Sequence, residues 1–239
     1  MTQVPKETRQ TKTAAQSVLS HVTASLVQRK YFLLFLFLLT SLILYPYAEN
    51  SAFGYYAFRI LGSTAILLSV YVVSFRRSLV IVALLLAVPA FVQRVLNLST
   101  DASSLSILSI VLSFVFDVFI VVAIFRRVFG PRQPTAETIF GALCIYLLAG
   151  FGFASIYGMI EIIRPHAFYL NPVTNLHTAP NRLDFVYYSF ATLTSLGANG
   201  IVAVSAEARQ VAVIEAIIGV LYLAVLITRL VGAYRLPTA

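Results

Sequence analysis

Leu183–Gly200 reads LDFVYYSFATLTSLGANG, and this stretch decides the fold. Leu183–Leu196 is apolar and aromatic but well short of the roughly 20 residues that a membrane-spanning helix needs. Gly197-Ala198-Asn199-Gly200 follows as a turn-forming tetrad. Apolar runs of spanning length lie on either side, at Ala136–Ile163 and Gln210–Val231. A short apolar helix that ends in a glycine-rich loop between two long spans predicts a re-entrant element. Non-helical backbone at membrane depth persists only where it is buried in protein or lines water. Nothing else in one chain can bury this segment. Four copies around a shared axis would, with the loops lining that axis, so a homotetramer is expected.

Composition agrees with a membrane setting. The 239 residues are 59% hydrophobic and 11% charged, whereas a soluble domain carries roughly 25% charged residues. Further apolar runs fall at Tyr31–Tyr47, Gly54–Phe75, Ser78–Val95 (broken by Pro89) and Ser104–Phe125. The expected fold class is therefore an all-α membrane protein with six transmembrane helices, the re-entrant helix and loop lying between the fifth and sixth. With the N-terminus inside, twelve Lys and Arg face the cytoplasm, four face outward, and Arg59 lies within a span. The positive-inside rule then predicts a multi-pass protein of the cell membrane, surrounded by lipid, with both termini cytoplasmic. Three regions follow: a cytoplasmic N-terminal segment 1–30, a four-helix membrane domain 31–127, and a pore-like domain 136–232. Within segment 1–30, the stretch Thr8–Gln28 places Ala15, Val18, Leu19, Val22 and Leu26 at helical spacing. They fit either an interfacial helix or a disordered tail with chance periodicity.

Beyond this layout, Thr192-Leu193-Thr194-Ser195-Leu196-Gly197 resembles the run into the potassium-channel filter, where that family has T-x-T-T-V-G-Y-G-D. Ile201, Val204, Ser205, Glu207, Ala208 and Arg209 resemble the segment after the filter in bacterial two-helix-pore channels, and Ile214–Gly232 resembles their inner helix. The resemblance implies a tetrameric cation channel with an outer helix 136–163, a pore helix 183–195, a filter 194–200 and an inner helix 210–231. The filter residues would be Thr194, Ser195, Leu196, Gly197, Ala198, Asn199 and Gly200, with Thr192 and Glu215 as supports and Gly219 at the inner-helix hinge. The chain departs from the family at the tyrosine, second glycine and aspartate, which read Ala198, Asn199 and Gly200. In such filters backbone carbonyls replace the ion's hydration shell, and the tyrosine and aspartate brace the backbone from behind. Ala198 supplies no aromatic brace, while Asn199 tolerates left-handed geometry. The expectation is a pore for monovalent cations, K+ and/or Na+, with weak discrimination between them. The alternative is a non-conducting structural or regulatory membrane subunit that retains the pore fold.

The remaining polar residues admit two readings each. Glu215 either braces the pore helix or is a buried, protonated acid. Gly219 serves a bend or close packing. Arg59 lies near the outer end of its span and can snorkel outward. Asp117 lies deeper in the fourth run; a direct pair with Arg59 is excluded by a depth difference of about 12 Å at 1.5 Å per residue. Tyr71 or Tyr146 is the expected donor to Asp117, and coupling to the pore domain is the other role it could hold. The fourth run carries no arginine ladder, so voltage sensing is not expected. No cofactor and no metal beyond permeant cations is expected, since His21, His166 and His177 are scattered and Cys144 stands alone. No catalytic pair and no nucleic-acid module occurs, so neither an enzyme nor a nucleic-acid partner is expected.

Overall fold

The computed structural model describes residues 29–44, 47, 52–73, 77–96, 103–130, 135–175 and 179–233. Seven helices and two short strands follow in order: α1 Lys30–Leu44, α2 Ala52–Val73, α3 Arg77–Leu96, α4 Ser103–Val128, α5 Ala136–Ile163, β1 Phe168–Leu170, α6 Arg182–Leu193, β2 Ile201–Ala203 and α7 Ala206–Ala233. The all-α expectation thus gains one small antiparallel ladder. The periodicity at 15–26 lies outside the described residues.

Each helix has a local cause. In α1 the buried residues Tyr31, Leu34, Leu38 and Ser41 recur at three- and four-residue spacing, which places them on one face. Ser41 Oγ donates to the Phe37 carbonyl at 2.8 Å, so its hydroxyl costs nothing in an apolar setting. Helix α3 runs without interruption through Pro89, where a break was expected. Apolar helices keep proline when neighbouring groups satisfy the one carbonyl it orphans. Thr135 caps α5, its hydroxyl accepting from the Thr138 amide while the Thr138 side chain accepts from the Thr135 amide.

Helices α1 and α4 flank α5, while α2 and α3 complete the peripheral bundle. Leu34, Val72, Ile120, Ile124 and Cys144 meet in the main core. Both ends of the bundle are tied. At one, the Tyr31 amide donates to Glu137 Oε2 at 3.1 Å, and Arg229 Nη2 donates to the Gly130 carbonyl at 2.8 Å. At the other, Arg164 pairs with Glu207 at 2.9 Å, joining the end of α5 to the start of α7.

By length and composition, α5 (from Glu137) and α7 (to Gly232) are the two described helices able to cross a membrane. They differ in burial: half of the apolar window of α5 is covered within the chain, against 17% for α7. Ile214, Ile217, Ile218, Leu221, Val225 and Ile227 of α7 all face outward from the chain.

Candidate functional site

Helix α6 begins with a reciprocal cap. Asn181 Oδ1 accepts from the amides of Leu183 (2.7 Å) and Asp184 (3.1 Å), and Asp184 Oδ2 accepts from the Asn181 amide at 2.8 Å. The helix ends at Leu193, two residues before the expected Ser195. Its exit is a Schellman motif. The Ser195 amide bonds to the Thr192 carbonyl (3.0 Å), the Leu196 amide to the Ala191 carbonyl (2.8 Å), and Ser195 is left-handed at φ +58°.

The loop that follows is where the candidate filter residues meet. Ser195 and Gly197 have positive φ (+58° and +83°), and Leu196 between them does not. Asn199, the residue suited to left-handed backbone by type, does not adopt it. The alternation therefore falls on Ser195 and Gly197. Thr194, Ser195, Leu196, Gly197 and Asn199 are exposed in the single chain. Thr194 Oγ1 is turned back onto the Phe190 carbonyl at 2.6 Å. Among the described residues, no backbone amide bonds to the carbonyls of Thr194 through Asn199.

Both ends of this loop are fastened. The Leu193 carbonyl accepts from the Tyr146 hydroxyl of α5 at 3.1 Å. The same carbonyl rests on Gly219 of α7, where a Cβ would collide with the Leu193 oxygen. Gly219 is thus accounted for by close approach, and α7 continues through it as helix. At the far end, Gly200 does not belong with the unpaired carbonyls. Its oxygen accepts from the Asn171 amide (3.0 Å) and from Asn175 Nδ2 (2.7 Å). Ile201–Ala203 then pairs with Phe168–Leu170, and the Val204 and Ser205 amides bond to the Ala167 carbonyl.

Behind the loop stands an aromatic cluster. Tyr157, Phe168, Phe185 and Tyr188 meet edge to face at centroid distances of 5.0–5.4 Å. Ala198 packs against this cluster. Thr192, half-buried on α6, lies one turn after Tyr188. Aromatic bulk behind this loop is therefore contributed by α5, β1 and α6 rather than by position 198.

Glu215 is fully buried and links three helices. It accepts from the Tyr157 hydroxyl and lies 2.5 Å from Ser189 Oγ, which also contacts the Gly150 carbonyl at 2.7 Å. Ser189 has one proton and faces two oxygens. The bonds close one proton apiece when Glu215 carries its own and donates to Ser189, which donates to Gly150. This arrangement joins both readings of Glu215, because a protonated acid still ties α7 to α5 and α6. Gly150 is required here, since a Cβ would meet the Phe190 ring at 2.6–2.9 Å.

Two expected residues lie away from this centre. Asp117 is half-buried on α4. Tyr146, expected as a donor to it, instead donates to Leu193, and one hydroxyl proton cannot serve both. Arg59 falls on α2, its side chain outside the described residues. Tyr157, Ser189 and Asn175 were missed by sequence reasoning, and Tyr146 was read toward a different partner. The tyrosines carried a readable signal, because a hydroxyl in an apolar span must find a partner.

Residues 138–235 match the family model described as "Ion channel". Neither the curated proteins nor the solved structures gave a match. The matched residues hold nearly all of α5, all of α6 and α7 and the loop between them, so this part of the chain is similar to an ion-channel domain.

Proposed function

We propose that the chain assembles as a homotetramer and conducts monovalent cations along an axis lined by the loop 194–199. The observation that carries this reading is the run of carbonyls from Thr194 to Asn199 with no amide partner among the described residues, on a loop whose residues other than Ala198 are exposed. Such groups cannot face lipid, where an unsatisfied backbone polar group costs several kcal/mol. Around a fourfold axis they would face water and cations. The mostly uncovered α7 is consistent with lining that axis and packing on neighbouring copies. The C-terminal end of α6 adds a negative dipole end near the loop, which favours a cation there.

In this reading the six apolar runs of the sequence, among which α5 and α7 are the described helices that alone have spanning length and composition, cross the membrane, and α6 enters from the outer side without crossing. The chain end with Lys30, Gly130 and Arg229 faces the cytoplasm; the end with Arg164, Glu207 and β1–β2 faces out. Thr194 through Asn199 form the pathway and Ser195 to Gly197 its narrow inner part. Gly200 is a fastening point rather than an ion ligand. Thr192 and Glu215 support the loop from behind. Selectivity for potassium over sodium requires a stack of sites held at fixed spacing or field strength. A shortened stack, without the family's tyrosine and aspartate, favours cations over anions while relaxing the demand for full dehydration.

The test is purified protein in planar bilayers, read as reversal potentials under sodium–potassium and potassium–chloride gradients. The expected result is clear cation over anion preference with sodium nearly as permeant as potassium. Strong potassium selectivity would show that the altered loop builds a full set of sites. Absence of any ion flux would favour the non-conducting subunit.

A further inference from the structure

We propose that Asn175, in the loop between β1 and α6, is a positioning residue that sets the width of the outer end of the ion pathway. The inference deepens the cation-channel reading and rests on it.

The family's brace, a tyrosine and an aspartate within the filter strand, is absent here, so the outer end of the loop must be held from elsewhere. The segment 171–175 is built to do this. Asn171 Oδ1 accepts from the Val173 amide at 3.0 Å, closing an Asx turn. The Asn171 carbonyl accepts from the amides of Thr174 and Asn175, both at 3.1 Å, and from Asn175 Nδ2 at 2.9 Å. The turn therefore presents a fixed Asn175 amide, and that amide donates to the Gly200 carbonyl at 2.7 Å. The Asn171 amide donates to the same oxygen at 3.0 Å. Two donors on one carbonyl use both of its lone pairs. They hold Gly200 off the axis and fix where the unpaired run ends.

Neither bond could be formed by the filter residues themselves. The β1–β2 register brings Leu170 opposite Ile201, which places Asn171 beside Gly200. From there Asn175 reaches the same oxygen across twenty-five residues of sequence. A Cβ at Gly200 would make only ordinary contacts with Thr174 Oγ1 (3.4 Å) and Asn175 Nδ2 (3.5 Å), so the clamp rests on the hydrogen bonds to the Gly200 carbonyl and not on the absence of a side chain. Loss of the Asn175 amide leaves the carbonyl on one donor and lets the loop between Ala198 and Gly200 swing outward.

The experiment compares the full chain with Asn175→Ala, Asn175→Asp and the control Val173→Ala, whose side chain is 89% exposed. Asn175→Asp keeps the size of the side chain but, ionised, turns its donor into an acceptor facing an acceptor. Permeability of dimethylammonium relative to sodium, from bi-ionic reversal potentials, measures the pathway's width. Amide hydrogen exchange of the peptide spanning 198–204 is read on the same samples. Both Asn175 variants should raise relative dimethylammonium permeability by roughly threefold to tenfold, the range that one lost hydrogen bond spans. They should also speed exchange in that peptide, with Val173→Ala unchanged in both measures. A merely structural role would lower the amount of active protein and leave the permeability ratio as it was. Conducting variants with unchanged ratio and exchange overturn the proposal. A wild type that passes no ion overturns the channel reading instead. Exchange then separates the two ideas: faster exchange in the variants keeps the clamp but removes its permeation role, and unchanged exchange removes the clamp as well.

Discussion

Glu215 shows how much a single buried group can specify. Its carboxyl meets Tyr157 from α5 and Ser189 from α6, and Ser189 meets the Gly150 carbonyl. Glu215→Gln supplies an amide donor for Ser189 and an acceptor for Tyr157, so it should cost less than about 1 kcal/mol. Glu215→Ala strands two buried hydroxyls and should cost on the order of 2–4 kcal/mol. Thermal unfolding in lipid nanodiscs distinguishes the two, and equal losses would mean that an ionised carboxylate is required. At Gly219 the constraint is steric rather than polar. Gly219→Ala forces α7 away from the Leu193 carbonyl, an overpacking penalty of about 1–3 kcal/mol. The same unfolding measurement checks it; a fully tolerated alanine would show that α7 does not sit on α6 as described. Glu215 and Gly219 could be singled out in the sequence because a charge and a glycine are anomalous in an apolar span. Their partners could not, since Ser189 and Gly150 look ordinary until the helices are brought together.

At the scale of elements, α5 covers the apolar run Ala136–Ile163 expected from the sequence, with Thr135 capping its start. The short helix α6 was legible as a helix but not at its end. Thr194 and Ser195 extend the apolar-aromatic pattern, yet the chain leaves the helix there through a left-handed serine, a position where glycine is the usual marker. The β1–β2 ladder was not legible at all: three residues on each side show no alternation that stands out from a loop, and the pairing spans more than thirty residues. Yet that ladder holds Phe168–Leu170 beside Ile201–Ala203, just before the start of α7. It also yields a topological prediction. The Arg164–Glu207 pair and the loop at Thr174 lie at one end of α5, and Arg126 and Gly130 lie near its other end. In a Cys144→Ser background, Thr174→Cys should react with an impermeant thiol reagent only from outside. Arg126→Cys should react only after the inner face is opened. Labelling of position 174 from the cytoplasmic side would invert the proposed orientation.

The whole molecule raises two questions that one chain cannot answer by itself: what covers α7 and the loop 194–199, and what the peripheral helices do. Assembly addresses the first. Polar backbone at membrane depth needs protein or water around it, so native mass spectrometry in mild detergent with lipid retained should give a tetramer, and a monomer or dimer would remove the basis for an axial pathway. The second question turns on charge. Helices α1 and α4 pack against α5, with α2 and α3 packed on them, but four peripheral helices do not by themselves make a voltage sensor. Steep voltage dependence needs several charges that move through the field, each worth roughly 2.3 kcal/mol per 100 mV. Helix α4 carries Asp117 within its apolar part and no arginine before Arg126 and Arg127 at its end. Arg229, at the same end of the bundle, is held to the Gly130 carbonyl and lies 5.0 Å from the Phe129 ring, a contact that joins α7 to the α4–α5 turn without placing charge in the membrane. In the proposed channel these peripheral helices would brace the pathway mechanically rather than sense the potential. Steady-state conductance in planar bilayers should change little more than ohmically between strongly negative and strongly positive voltages. A sigmoid steep enough to require several gating charges per tetramer would mean that Asp117 or Arg59 moves through the field, and the bundle would have to be read as a sensor after all.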